Sequence, residues 1–521
     1  MPPSPPQAPR WAWTLTGVVA AAVGLGVAQL AAVVTGADSA PVVAVGGAVV
    51  DATPLWLKNA AIRWFGTSDK AVLLLGIVVV LCGLAAAVGL LARSRLRAAL
   101  YAVAALGAIA ALAAVRRPDA TWLSVLPSVL GALVSAWGLR FLVERRTTRS
   151  PAVRPATGPA ASPTDGQWDR RAFLLGSAGL GAAALVAGGS ARLLAGGSNA
   201  AASRAEVRLP LPATPVPPLP PGVDLHLPGL TPFTTPVNDF YRVDTALVVP
   251  RVVAADWRLR VHGMVDREIE LTYADLLARP LVETDLTLCC VSNEVGGPYV
   301  GNARWLGARL KDLLDEAGVH PGADQLLSRS ADGWTCGTPT AAVMDGRAAL
   351  LAVGMDGLPL PIEHGFPVRM VVPGLYGYVS ATKWVVDLEL TTFAAATAYW
   401  VSRGWAARGP VKTMTRIDTP GAGTQLRAGA VAVAGVAWAQ HRGIDAVEVR
   451  VDGGPWQPAR LAAVPGIDTW RQWVYRWDAT PGSHTLWARA VDGTGDVQTG
   501  QQSPPEPDGA SGWPTVAVTV R

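Results

Sequence analysis

The chain has 521 residues, a formal net charge of +5, a mean hydropathy of +0.30 and only 16% charged side chains. That is too long for one ordinary domain and too oily for a purely water-soluble enzyme. The basic balance does not point to nucleic acid, because the arginines cluster at the flanks of apolar runs and no nucleic-acid motif is present.

Taken in chain order, apolar runs long enough to cross a bilayer occupy residues 11–34, 71–92, 98–115, 122–143 and 172–190. A further run at 41–50 is too short and meets Asp51, so it reads as interfacial or re-entrant. Arg93, Arg95 and Arg97 lie between the second and third spans, and Arg145, Arg146, Arg149, Arg154, Arg170 and Arg171 lie between the fourth and fifth. Placing both clusters in the cytoplasm makes a multi-pass plasma-membrane region of residues 1–195 with five spans, and leaves the rest extracytoplasmic. Lys58, Arg63, Lys70, Arg116 and Arg117 oppose that bias without outweighing it. The last span opens DRRAFLLGSAGLG, in which Arg170, Arg171, Phe173 and Leu174 form a twin-arginine-like export signal. A plain basic membrane flank is the alternative. The first histidine is His226, so no bis-histidine haem can form within the spans, and electrons must pass to or from a separate partner or a quinone.

Residues 196–224 form a Pro-rich linker, whose PLPATPVPPLPPG predicts a stiff extended spacer holding the following domain off the membrane. Residues 225–395 alternate strand and helix patterns: strands over 257–265 and 286–291, and helices over 273–278 and 306–317, the latter amphipathic through Leu310, Leu313, Leu314 and Ala317. This predicts an α+β domain. Residues 410–521 predict an all-β domain, with strands over 430–438, 446–451, 470–477, 484–491 and 515–521 spaced as in an immunoglobulin-like sandwich without its cysteine pair.

Of four cysteines, Cys82 sits in an apolar span and reads as a small buried hydrophobe. Cys289, Cys290 and Cys336 are an odd number in one domain, which leaves at least one thiol free there. The run LCCVSNEVGGPYVGNAR at 288–304 places two of them where a strand enters a Gly-rich polar loop, and HGFPVR at 364–369 offers a His and an Arg on a restricted turn. A soft metal wants thiolate sulfur, and an anionic organic ligand wants Arg and Lys. Without a CxxC or a nearby His pair, a zinc site is disfavoured. Neighbours on a strand face opposite sides, so one of Cys289 and Cys290 points to a site and the other packs.

Residues 288–306, the segment DGWTCGTPTAAVMD at 332–345 and LPLPIEHGFPVRMVVPGLYGYVSATKW at 358–384 together resemble the molybdopterin domain of the sulfite oxidase family, over roughly 238–390. The resemblance implies a Mo-molybdopterin cofactor, with Cys290, just before Val291-Ser292-Asn293, as the molybdenum ligand and Cys289 as a core residue. It implies His364, Arg369 and Lys383 as contacts to the pterin phosphate, with Asn293, Gly374 and Gly377 close to the cofactor. The segment with Asn238, Phe240, Tyr241 and Arg242 resembles the family's entry to the site, and Trp405 stands where the family carries an active-site tyrosine. Because the cofactor is inserted in the cytoplasm in this family, the export reading of Arg170 and Arg171 gains weight. Sulfite-oxidising members carry arginine after the ligand cysteine, where this chain has Glu294 and Val295; Arg242 and Arg403 restore part of that charge. The expected activity is therefore oxygen-atom transfer on a small extracytoplasmic S- or N-oxide. The alternatives are a sulfite oxidase or dehydrogenase, and a non-catalytic membrane scaffold with a molybdopterin fold. The C-terminal segment resembles the domain that accompanies such enzymes and mediates dimers in some, which implies a homodimer.

Overall fold

The computed structural model describes residues 9–36, 39–54, 57, 69–117, 120–147, 178–179, 181–182 and 199–521. Contacts divide the chain into two units, Met1–Ser198 with Ala246–Val248, and Asn199–Thr245 with Val249–Arg521.

The first unit is helical: α1 (Arg10–Thr35), α2 (Pro41–Ala52), α3 (Asp69–Ala92), α4 (Leu96–Val115) and α5 (Leu126–Thr147). Among the described residues, Arg10–Thr35, Leu75–Ala92, Leu96–Val115 and Trp122–Glu144 are long and apolar enough to cross a membrane. Most of the fifth expected span at 172–190, the pair Arg170 and Arg171 and the linker between them and α5 lie outside the described residues. Glycines let α1 lie close against its neighbours. A Cβ on Gly17 would collide with the carbonyl of Ala85, one on Gly89 with that of Trp13, and one on Gly24 with Ser135. In an apolar medium such backbone approach, rather than burial from water, holds helices together. Leu75, Val79, Tyr101 and Leu133 stay exposed on the outer faces. One end of the bundle gathers Trp13, Ala92, Ala99, Leu139 and Val143, where Arg93, Arg95 and Arg97 join α3 to α4. At the other end α2 packs on Ala113 and Ala114 beside Arg116 and Arg117.

The second unit begins with α6 (Asn199–Glu206) and holds one mixed and one antiparallel sheet, then a two-sheet all-β part. The first ten strands are β1 (Arg258–Gly263), β2 (Ile269–Thr272), β3 (Leu281–Cys289), β4 (Val300–Arg309), β5 (Gln325–Ser330), β6 (Thr335–Pro339), β7 (Leu350–Met355), β8 (Leu358–Pro359), β9 (Arg369–Val371) and β10 (Val385–Thr391). They order as β2-β1-β10-β5-β6 and as β3-β4-β7-β8, with β9 also on β7. The antiparallel pair β3 and β4 runs in register from Leu281 opposite Ala308 to Cys289 opposite Val300. It delivers the cysteines to the tip of a strand that is buried along most of its length. The amphipathic helix expected from 306 starts only at Leu310 and ends at Ala317, because Leu306 to Arg309 pair with β7 instead. The local pattern was helical, and the partner strand prevailed.

The remaining strands are β11 (Met414–Thr419), β12 (Gln425–Leu426), β13 (Gly429–Trp438), β14 (Ile444–Val451), β15 (Gln457–Pro458), β16 (Arg460–Leu461), β17 (Arg471–Ala479), β18 (Gly482–Asp492) and β19 (Thr515–Val520). They form sheets β11-β13-β17-β16 and β12-β19-β18-β14-β15, whose facing residues Val433, Val447, Trp473, Leu486 and Val518 share one core. Alternation along β19, exposed then buried throughout, is the period-two pattern of a half-buried strand.

The Pro-rich segment is not the free spacer its composition predicts. Arg204 of α6 donates from Nε to the Leu360 carbonyl at 2.7 Å and from Nη2 to the Pro359 carbonyl at 2.8 Å. Further on, the Ala213 N–H donates to Leu281 O at 2.8 Å and the Glu283 N–H to Thr214 O at 3.1 Å. Strand β3 is an edge of its sheet, and an edge offers unpaired backbone groups that an extended, Pro-containing segment can satisfy on one side. Val207, Leu209 and Leu219 then pack on the core. Replacing Arg204 by Ala should destabilise the second unit by about 2 kcal/mol, the scale of charge-assisted hydrogen bonds. It should also speed proteolysis within 205–221. Denaturant unfolding and timed digestion check this, and unchanged digestion would mean the segment is held by its apolar contacts alone.

Candidate active site

Cys290 is the first residue beyond β3. Its N–H donates to Tyr299 O at 2.9 Å, and its carbonyl accepts from the Asn293 N–H at 3.1 Å. Asn293 is buried and its Oδ1 accepts from the Tyr299 N–H at 2.8 Å, closing the loop on itself. Gly297 is needed there, since a Cβ would sit 2.6 Å from that Oδ1. The two thiols have different surroundings. Cys289 belongs to the main core and its thiol lies by Asn293, Trp438 and Arg416, whereas the Cys290 thiol lies by Ser292 and feels the charge of Lys383. Burial pushes both thiols up; for Cys290 the bonds to Ser292 and the Lys383 charge pull the other way.

The second half of the site is a cluster of cations. His364 ends a 3-10 turn (Ile362–His364), and Gly365 leaves it at φ +111°, a conformation that favours glycine. Space demands glycine as well: a Cβ at 365 would meet Arg369 Cβ at 3.0 Å and Lys383 Cα at 3.1 Å. The Met370 N–H donates to Thr382 O at 2.8 Å, so β9 runs beside the segment carrying Lys383. Arg369 is buried, with its guanidinium 5.0 Å from the Trp305 ring centroid and Nη1 donating to the His364 carbonyl at 3.2 Å. Its Nε is buried without a partner, and among the described residues no carboxylate lies within 4.0 Å of it. Lys383 Nζ donates to Asp244 Oδ2 at 2.7 Å and to the Glu363 carbonyl at 3.1 Å, and Arg242 Nε donates to the same Asp244 Oδ2 at 2.9 Å. Burial lowers Arg369 to about 10 and Lys383 to about 8, and it lowers His364 to about 3 with help from the charges of Arg369 and Lys383.

Aromatic rings join the two halves. Phe240 stacks on Tyr241 at 5.3 Å and meets Trp305 and His364 edge-on at 5.9 and 5.7 Å. Tyr241 senses both cysteines and Arg369; burial first and the cysteines second raise its phenol well above the usual range. Trp405 is buried against Tyr378 at 5.9 Å and Trp400 at 6.3 Å, and its Nε1 has no partner among the described residues. Arg403 lies 3.5 Å from the Tyr399 ring centroid and donates to the Tyr399 carbonyl. Asn238 is exposed, on a 3-10 turn. Gly377 abuts this region, its Cβ position being 3.9 Å from the Tyr241 hydroxyl. Gly374 is otherwise placed: at φ +84°, its Cβ position meets Arg347 Nη1 at 2.8 Å and His441 Cβ at 3.0 Å, so packing against those residues accounts for it. Glu294 is exposed and Val295 half-buried. Sequence reasoning missed Asp244 and Gly365. Asp244 was within reach, since residues two apart in extended chain share a face, and Arg242 was already a candidate.

Buried cations outnumber the carboxylates bonded to them, and a buried charge must be paired. An anion held at Arg369 and Lys383, with a thiol that a soft metal would deprotonate close by, fits a phosphate-bearing pterin and its molybdenum. Fold and site define a molybdopterin-dependent oxidoreductase. Residues 246–400 match the family described as "Oxidoreductase molybdopterin binding domain". The chain is 30% identical over 321 residues to sulfite oxidase of Gallus gallus, covering 52% of this chain and 69% of that protein. It is 34% identical over 153 residues to the uncharacterized oxidoreductase YuiH of Bacillus subtilis (strain 168), covering 29% of this chain and 74% of that one. Mitochondrial sulfite oxidase of Rattus norvegicus is 31% identical over 272 residues, and the chain spans about half of that relative's length, 49%. Among solved structures, the sulfane dehydrogenase SoxCD from Paracoccus pantotrophus is similar over 51% of this chain and 74% of that chain, at 26% identity and a TM-score of 0.46. The chain belongs to the sulfite oxidase family of molybdopterin oxidoreductases, and its cofactor is Mo-molybdopterin.

The low value of His364 has a consequence for stability. The folded ring titrates near 3 and the unfolded one near 6.5, so the unfolded chain takes the proton first as pH falls. The contribution is complete above pH 6.5 and is lost progressively towards pH 3. His364→Gln should therefore flatten the fall in stability between those limits in urea unfolding series. Identical slopes would mean that the folded ring titrates normally.

Proposed function

We propose that the second unit reduces a small neutral S- or N-oxide by oxygen-atom transfer, taking two electrons and two protons and releasing water, with Cys290 as the protein's ligand to molybdenum. When bound, the molybdenum centre supplies the two-electron oxygen-atom chemistry. Arg369 and Lys383 hold the pterin phosphate, with His364 kept neutral beside them and Asn238, Phe240, Asn293 and Gly377 shaping the rest of the cofactor cleft. Tyr241 stays protonated at any physiological pH and, with the unpartnered indole N–H of Trp405, is a neutral donor for a substrate oxygen. The observation that carries the substrate class is charge: Glu294 and Val295 follow the cysteine, while Arg242 is tied to Asp244. A dianion needs several free cations, and neutral donors suit an oxide. Sulfite oxidation is the second reading, favoured by Arg242 and by the activity in the names of the relatives.

The arginine-rich end of the helical bundle supports an orientation with Arg93, Arg95 and Arg97 in the cytoplasm. A further crossing within 172–190, led by Arg170 and Arg171 as export signal, then places the catalytic unit on the extracytoplasmic side of the plasma membrane. Electrons come from a separate protein or a quinone. The domains run as 1–195, 196–224, 225–395 and 410–521, the last an immunoglobulin-type sandwich that serves a homodimer.

Cys290→Ser should abolish turnover and remove one sulfur from the molybdenum coordination seen by X-ray absorption. Cys289→Ala should cost only packing, about 1 kcal/mol. The reverse pattern would move the ligand to Cys289.

Steady-state assays with an artificial electron donor or acceptor test the substrate. Turnover of a neutral sulfoxide or amine oxide should exceed that of sulfite. Efficient sulfite oxidation at micromolar concentration, with no activity on neutral oxides, would replace this reading by the second.

A further inference from the structure

Asp244 takes no part in the contacts expected from the sequence, yet it sits at the electrostatic centre of the site. Its side chain is 5% exposed, and one oxygen, Oδ2, accepts from both Arg242 and Lys383. The two cations differ in position. The Lys383 side chain is 9% exposed and has a second acceptor in the Glu363 carbonyl, whereas the Arg242 side chain is 35% exposed and reaches solvent. One carboxylate thus links a buried cation to one that reaches solvent. Arg242 and Asp244 are two residues apart, so the pairing is made locally in the chain.

We propose that Asp244 is a specificity-determining residue: by holding Arg242 through its Nε and cancelling positive charge at the mouth, it makes the site disfavour anionic substrates. This rests on the proposed placement of Arg242 beside the substrate. Lys383 keeps its bond to Glu363 if the carboxylate is lost, but among the described residues the Arg242 Nε bonds no other group, so loss of the charge acts mainly at Arg242. A carboxylate within hydrogen-bond distance of a guanidinium also fixes the direction in which the remaining N–H groups point. Freed from Asp244, the guanidinium can turn its fork to a tetrahedral oxyanion.

The test uses inorganic sulfate as an unreactive dianion with the full-length holoenzyme, comparing wild type, Asp244→Asn, Asp244→Glu and the double variant Asp244→Asn with Arg242→Gln. Sulfate affinity by titration calorimetry at two ionic strengths is the readout, with molybdenum and pterin content measured alongside. Asp244→Asn should bind sulfate about tenfold more tightly and with a steeper salt dependence. Asp244→Glu should behave like wild type, and adding Arg242→Gln should erase the gain. Unchanged sulfate affinity in a fully loaded Asp244→Asn would overturn the proposal, as would a gain that survives loss of Arg242. Loss of molybdenum in Asp244→Asn, retained in Asp244→Glu, would assign the carboxylate to cofactor retention through Lys383 and overturn it too. Efficient sulfite turnover by wild type would refute the proposed substrate class while leaving this comparison of variants intact.

Discussion

A guanidinium buried without a carboxylate is the constraint on which the catalytic unit turns. Arg369 is 5% exposed, its Nε has no partner among the described residues, and its one recorded hydrogen bond goes to a backbone carbonyl. Burying such a charge alone costs several kcal/mol, and the lowering of Arg369 to about 10 records the same penalty. The fold accepts that cost locally: Trp305 faces the guanidinium, and Gly365 lets Arg369 and Lys383 close together. A fold that is strained in this way without a ligand gains stability when an anion arrives. If Arg369 holds the cofactor's phosphate as proposed, loading the cofactor and completing the fold would be parts of one equilibrium.

The cysteine strand is held at two places. On its outer edge it accepts and donates to the segment at 213–214, which makes a proline-rich stretch into a structural element of the sheet. Further along the same edge the C-terminal part reaches it: Gln440 Nε2 donates to Thr287 O at 3.0 Å and the Trp470 N–H to Thr287 Oγ1 at 2.8 Å, while Arg416 Nη1 donates to Gly297 O in the loop beyond at 3.0 Å. Arg416 and Trp438 also border Cys289, so the thiol that packs is the one turned towards the sandwich. Both parts belong to one compact unit. The C-terminal sheets help fix the loop that carries Cys290, quite apart from any part in assembly.

Much of this was legible in the sequence where the signal was local. Apolar runs gave four helices of spanning length, and alternation gave five of the nine C-terminal strands to within a few residues. Strands β11, β12, β15 and β16 were missed: three have only two residues each, and β11 carries Arg416 and Asp418, which pair with each other and also bond Thr231, distant in sequence. The helix at 306–317 was over-extended because pairing with β7 is a tertiary fact. The spacer reading failed for the same reason, since polyproline character says nothing about an available sheet edge. Cys290, Arg369 and Lys383 were proposed through a motif, and the placing of Arg369 near Lys383 depends on β9 lying beside 380–384. Asp244 and Gly365 were passed over because a lone acid or glycine is uninformative until its neighbours are known.

The placement of charge, more than its amount, distinguishes this site. Arg242, Arg369 and Lys383 would make a strongly cationic cleft if all were free. Arg369 and Lys383 are buried, and Lys383 and Arg242 share one carboxylate, that of Asp244. Tyr241 and Trp405 are then the polar groups with an uncommitted role, and both are neutral donors at working pH. A neutral donor in a dry site strengthens as charge develops on an acceptor oxygen, while offering little to a dianion that must first shed its water. Under the proposed function, holding cations for the cofactor and leaving neutral donors for the substrate would let one site bind a charged group permanently and exchange an uncharged one rapidly.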